Sequence, residues 1–161
     1  MNNPMVSEKE FIKLIHDNSG IIYKVVRLFI CNQEDEKDAV QEILYQCWRA
    51  IPHFRYESKF STWLYKISLN TMIILKRKKR IQTVDSTIIN NFLQQKSSTD
   101  ENLDNLDQCI SQLGDADKMV ISLQLEGYKI DEISEITGIS KSNVGVKIHR
   151  IKKKLGEELK Q

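Results

Sequence analysis

The chain of 161 residues is long enough for one ordinary domain or two small helical ones, and its 40% hydrophobic and 29% charged content is ordinary for a globular protein. The formal charge of +2 hides a segregation: residues 53–80 carry eight Lys/Arg against one acid, residues 81–126 eight acids against two lysines, and residues 141–155 six Lys/Arg and no acid, a pattern suited to two contacts with a polyanion. A charged-then-apolar leader is missing and no window approaches 18 consecutive apolar residues, which argues against secretion and membrane spanning and for a reducing cytoplasm.

With only two prolines and six glycines, scattered along the chain, long windows are left for helix propagation, and β-type alternation is scarce. The expected fold class is all-α. Ser7-Glu8-Lys9-Glu10 has the form of a capping box, so a helix should start there, with Phe11, Leu14 and Ile15 on its apolar stripe. Asp17 to Gly20 is turn-like, after which Ile22, Val25, Val26 and Phe29 resume helical spacing. From Glu34 to Ile51 a stripe of Val40, Ile43, Leu44, Cys47 and Ile51 predicts a third helix that Pro52 ends, with Asp35, Asp38, Gln41, Glu42 and Tyr45 on its opposite side.

A fourth helix is expected from Ser61 to Arg80, apolar at Trp63, Leu64, Ile67, Leu69, Ile73 and Ile74 and ending in Lys76-Arg77-Lys78-Lys79-Arg80. Residues 82–102 are polar and aperiodic and make the best linker. Cys31, Cys47 and Cys109 lie in apolar patterns without CxxC spacing and read as small buried hydrophobes rather than disulfide or metal partners. His16, His53 and His149 fall on separate elements with no nucleophile or metal-spaced neighbour, so no catalytic or metal site is expected and no cofactor is implied.

The segment from Ile130 to Ile148 has helix-turn-helix grammar. Ile133 and Ile136 supply the inner face of the first helix, small Ser134 allows close approach, Gly138 can end that helix in a left-handed conformation, and Ser140 can cap the next. In the second helix Val144, Ile148, Ile151 and Leu155 form an apolar stripe, and Asn143, Lys147, Arg150 and Lys154 a polar one beside it. Such a helix suits a DNA major groove, with donors for bases and lysines for phosphates.

The stretch EDEKDAVQEILYQCWRAIPHFRYESKFSTWLYKISLNTMIILKRKKR resembles the promoter-melting domain of extracytoplasmic-function sigma factors, and LEGYKIDEISEITGISKSNVGVKIHRIKKKL their second DNA-binding domain. The resemblance covers nearly the whole chain. It implies a two-domain helical initiation factor, not an enzyme, with sigma region 2 in residues 1–81, a linker at 82–102 and a helix-turn-helix region 4 in residues 103–161. The implied partners are core RNA polymerase, promoter DNA and an anti-sigma factor, without membrane insertion.

On that resemblance Asp35, Asp38, Gln41 and Glu42 form the polymerase-binding strip. Phe60, Ser61, Thr62, Trp63, Lys66, Asn70, Lys76, Arg77, Lys78, Lys79 and Arg80 serve the minus-ten element, where an unstacked base needs an aromatic wall, amide or hydroxyl partners and cations along the backbone. Ser140, Lys141, Ser142, Asn143, Lys147, Arg150 and Lys154 serve the minus-thirty-five element. Two positions depart from the family's habit: Gly145 stands where lysine is common, and Leu113-Gly114 where Leu-Pro is common. Two other readings weighed are a conventional helix-turn-helix regulator, which leaves D-A-V-Q-E and F-S-T-W-L unexplained, and a sigma mimic occupying an anti-sigma factor, which would not need the basic runs.

Overall fold

Ser7 caps the first helix as its sequence predicts, its Oγ accepting from the Glu10 N–H at 3.3 Å, but the Glu10 carboxylate turns away to accept from Tyr56 Oη at 3.2 Å. The computed structural model describes the backbone of residues 6–84 and 108–158 and the side chains of 6–79 and 108–157. Regular structure among the described residues is helical throughout. The chain divides into two compact units, Met1–Asn90 and Asn91–Gln161.

In the first unit α1 spans Glu8–Asp17, α2 Ser19–Phe29, α3 Gln33–Ala50 and α4 Phe60–Val84, with a 3₁₀ turn at Ile51–His53. Asn18 closes α1 by donating from Nδ2 to the Leu14 carbonyl at 2.8 Å, which lets α2 start one residue later. Asn32 opens α3 by accepting the Glu34 N–H at 3.0 Å, and Glu34, Asp35 and Glu36 follow in the first turn, where the helix dipole favours negative charge. Pro52 turns the end of α3 into the 3₁₀ segment.

α4 packs on both α2 and α3. Its buried arc is Leu64, Tyr65, Ser68, Leu69 and Met72, facing Ile22, Val25 and Val26 of α2 and Ala39, Ile43 and Cys47 of α3. Two stripes therefore differ from the sequence expectation. In α3 Ala39 joins Ile43 and Cys47 in the core while Val40 and Leu44 are only half-buried; in α4 Trp63, Ile67 and Ile73 are half-buried and Ile74 is 53% exposed. Polar Thr62, Ser68 and Thr71 are buried instead, since small hydroxyl residues let neighbouring helices approach. Thr71 Oγ1 donates to the Ile67 carbonyl at 2.8 Å, while Ser68 Oγ has no partner.

The second unit has a helical turn at residues 108–111, then α5 at Asp115–Leu125, α6 at Ile130–Thr137 and α7 at Lys141–Glu158. Its core joins Leu113, Ile121, Ile151 and Leu155, with Cys109 and Ile110 packed against them. Gly138 follows α6 at φ +74°, its N–H donating to the Ser134 carbonyl at 2.9 Å, as the helix-turn-helix grammar requires. Ser134 Oγ donates to the Ile139 carbonyl at 2.6 Å and ties the turn. At Gly145 an added Cβ would meet nothing within 4 Å, so no backbone contact demands glycine there.

The expected linker at 82–102 starts inside α4, which continues to Val84; its remainder lies outside the described residues, as does the Arg80 side chain. The cysteines are free and divide three ways: Cys47 is buried, Cys109 intermediate and Cys31 exposed, so the buried reading fails for Cys31, which follows the end of α2. Burial pushes the Cys47 thiol up to about 12. A thiol reagent at neutral pH is expected to modify Cys31 in the folded protein and to reach Cys47 only on unfolding, which mass spectrometry of timed alkylation checks. Equal rates at the two sites would contradict this packing.

Candidate nucleic-acid interface

Aromatic rings gather where the loop after the 3₁₀ turn meets the start of α4. Phe54, 5% exposed, is the hub: its ring centroid lies 4.6 Å from Tyr56, 5.8 Å from Phe60 and 5.1 Å from Trp63, and Phe60 lies 5.2 Å from Trp63. Trp63 and Phe60 are half-buried, so each is both packing and accessible ring edge. Tyr56 is 49% exposed and holds φ at +56°, the one non-glycine residue among the described ones with positive φ. Such a conformation persists only where its surroundings impose it, and Phe54 and Glu10 are those surroundings. Desolvation, then the hydrogen bond to Glu10 and its negative charge, raise the Tyr56 phenol above its ordinary value.

At about 100° per residue, Trp63, Lys66, Asn70 and Arg77 fall within about 60° of one another on one side of α4. Lys66, Asn70 and Arg77 are exposed there. Asn70 also borders a shallow groove of about 270 Å³ with Glu42, Gln46, Ile74 and Lys78. The rest of the expected minus-ten set is distributed differently. Thr62 is 5% exposed and faces the core, which corrects its placement on an open DNA path: it lies one helical turn before Lys66 but inside the packed arc. Ser61 is half-buried.

The basic end of α4 divides between two sides. Lys76 Nζ sits 5.7 Å from the Phe29 ring centroid, and Lys79 Nζ pairs with Asp35 Oδ2 at 2.7 Å. Both, with Lys78, line a cavity of about 580 Å³ whose other wall is Asp35, Asp38 and Glu42 and whose floor includes Phe29, Ile30, Met72 and Leu75. The structure thus brings together acids and lysines that the sequence assigned to different partners. Gln41 and Asp38 are exposed; Asp35 and Glu42 are intermediate, and Gln46 Nε2 donates to Glu42 Oε1 at 2.7 Å.

In the second unit Val144, Ile148, Ile151 and Leu155 are all buried, which turns the polar stripe of α7 outward. Ser140 Oγ accepts the Asn143 N–H at 3.4 Å, a long cap, with Ser142 Oγ 3.3 Å away. Ser140, Lys141, Ser142, Asn143, Arg150 and Lys154 are exposed, and Lys141 Nζ reaches Asp131 Oδ1 at 2.9 Å. Lys147 is different: half-buried, it gives Nζ to Asp117 Oδ1 at 2.7 Å, while Arg150 Nη2 bonds Asp117 Oδ2 at 2.8 Å. Burial opposes the Asp117 charge, but the hydrogen bonds and charges of Lys147 and Arg150 outweigh it and hold the carboxyl below its ordinary value of 3.8.

Two contributors escaped the sequence reading. Asp117 stands in the acidic segment, and only the pairing of α5 with α7 shows that it meets cations thirty residues on. Val146, 66% exposed on α7, lies about 60° from Asn143; an apolar residue off the 4-3-4 stripe was the signal the sequence offered.

Residues 14–81 match the family model for sigma-70 region 2 and residues 103–155 the one for sigma-70 region 4. The chain belongs to the extracytoplasmic-function sigma factors. It is 30% identical over 141 residues to the ECF RNA polymerase sigma-E factor of Escherichia coli, covering 78% of this chain and 74% of that one. To the sigma factor SigV of Bacillus subtilis it is 26% identical over 152 residues, 93% and 91% of the two chains. In fold it is similar to RpoE of Bartonella quintana, solved with the anti-sigma factor NepR, with a TM-score of 0.78 at 18% identity over 94% of this chain and 98% of that one. It is also similar to CnrH, solved with the cytosolic domain of CnrY, at 0.69 and 22% over 96% and 90%. Its function is that of an ECF sigma factor: it binds core RNA polymerase and directs promoter-specific initiation of transcription. Among the described residues no helix is long and apolar enough to cross a membrane.

Proposed function

We propose that the two units divide the work of initiation. Residues 1–81 bind core polymerase and open the minus-ten element, residues 103–161 read the minus-thirty-five element as duplex, and 82–102 join them. The observation that carries this reading is the exposed row of Lys66, Asn70 and Arg77 beside the Phe54–Phe60–Trp63 cluster, since rings, an amide and cations in one strip are what an unstacked strand needs. Lys78 flanks it across the Asn70 groove, whereas Ser61 lies on the opposite side of the helix. Lys76 and Lys79, held on Phe29 and Asp35, attract the DNA backbone through their field more than by direct contact.

Asp38, Gln41 and Glu42, with Asp35 at their edge, form the polymerase surface, because an acidic strip repels nucleic acid and suits a basic partner. In the second unit Ser140, Lys141, Ser142, Asn143, Arg150 and Lys154 face the duplex. The protein is a non-catalytic factor of the cytoplasm that needs no cofactor. An anti-sigma factor is a further partner, in keeping with the complexes in which RpoE and CnrH were solved.

Run-off transcription with core polymerase on a promoter library is the test. Wild type should give specific products. Asp38→Asn with Glu42→Gln should lower core affinity about tenfold at unchanged melting temperature, as expected for charges at the edge of an interface. Amides are the informative choice, because lysines at 38 and 42 would crowd Lys76, Lys78 and Lys79 in the shared cavity. Unchanged core affinity in the double variant would assign the acids to the fold alone.

A further inference from the structure

The contact of Asp117 with α7 is not an ordinary surface pair. Its side chain is 17% exposed and that of Lys147 26%, whereas Arg150 remains 63% exposed. One carboxylate therefore spans two successive turns of the recognition helix, one oxygen on each cation, at 2.7 and 2.8 Å. Exposed ion pairs contribute little and hold nothing rigidly; a mostly buried carboxylate with two cationic donors restrains both of them.

The consequences differ for the two cations. The ammonium of Lys147 is turned toward α5 and is mostly shielded, so it is poorly placed to reach a base. Arg150 gives Asp117 one N–H of the five in its guanidinium, which tethers one end of a side chain that is still 63% exposed and leaves four N–H groups for another partner. A guanidinium tethered at one end and open at the other is suited to the two acceptors of a guanine edge. The trio also presents a net charge of +1 where the bare helix would present +2, which trims the attraction to any phosphate regardless of sequence.

Resting on the reading of α7 as the minus-thirty-five helix, we propose that Asp117 is a specificity-determining positioning residue: it withholds Lys147 from DNA and orients Arg150 for base reading. Lys147 thereby moves from the set of readers to the brace behind them.

The test uses full-length protein with core polymerase and a library varied in the minus-thirty-five element, with affinities measured across a salt series. Asp117→Asn should bind all sequences more tightly at low salt, steepen the logarithmic salt dependence by about one, and lose about tenfold in discrimination at the base that Arg150→Ala also relaxes. If the half-buried Lys147, left without its carboxylate, unfolds the unit, Asp117→Asn combined with Lys147→Met restores an apolar neighbour and should show the same loss. A purely structural role would lower the melting temperature while leaving discrimination and salt slope as in wild type, and that result overturns the proposal. Loss of discrimination in Arg150→Ala but not in Asp117→Asn overturns it while sparing the minus-thirty-five reading. Unaltered discrimination in Arg150→Ala overturns both.

Discussion

Cutting Leu64 back to alanine is expected to destabilise the first unit by about 2–5 kcal/mol, the range for a buried leucine whose cavity cannot collapse. Leu64 is 0% exposed, on the arc of α4 that packs on α2 and α3, where Val25 and Ile43 are also 0% exposed. Small domains are stable by only about 5–15 kcal/mol, so a single truncation removes a large share. Urea denaturation of the full chain should show an early transition for the first unit and an unshifted one for the second, as expected of a chain that divides into two compact units. Core-polymerase binding and promoter opening should fall together, in proportion to the unfolded fraction. Ile74→Ala is the companion measurement: at 53% exposure it should move stability by no more than about 0.5 kcal/mol. Equal effects at the two positions would mean that α4 does not turn this face inward.

The difference between these two apolar residues marks what sequence periodicity resolves. Helix existence was legible for α1 to α4 and for α6 and α7: Ser7 and Asn18 bound α1, Pro52 ends α3, and Gly138 separates α6 from α7. The four apolar residues of α7 were assigned to the core correctly because they repeat at 4-3-4 spacing against an otherwise charged helix. α4 was harder. Its hydrophobic residues wrap most of the circumference, so periodicity gives no single inward direction, and the buried arc includes hydroxyl residues that hydropathy discounts. Ser68 and Thr71 are buried on that arc, and Ile74 is left outside.

The candidate sites show the same division. Grammar located α7 and its polar stripe, since each residue in a helix-turn-helix has a local mechanical reason. Which of the stripe's cations is exposed was not local: Asp117, far upstream, decides between Lys147 and Arg150. Likewise the run from Lys76 to Lys79 reads as one basic patch, yet successive residues of a helix point about 100° apart, and Asp35 and Phe29 take two of the three lysines that line the cavity. Opposite charges distant in sequence are where linear reading ends.

Asn70→Ala is expected to impair promoter opening without disturbing the fold, the inverse of Leu64→Ala. Sequence alone left two roles for an amide between Leu69 and Ile73, a solvated or helix-bridging side chain or a reader of DNA. Exposure argues against the bridge, since Leu69 beside it is 2% exposed while Asn70 faces solvent, and the side it shares with Lys66 and Arg77 favours the reader over a merely solvated amide. An exposed amide removed from a helix changes stability little, and alanine is the better helix former. Melting temperature should therefore hold or rise slightly, and core affinity should be unchanged. What should fall is the permanganate reactivity of the minus-ten strand, with an altered preference at one base, since an amide pairs a donor with an acceptor against an unstacked base edge. Loss of such a contact is worth about 1–3 kcal/mol, a reduction in opening of about fivefold to 150-fold on the preferred sequence and much less on one already mismatched there. Equal opening by wild type and variant on every minus-ten sequence would remove Asn70 from the site, and a fall in melting temperature with base preference unchanged would return it to the fold.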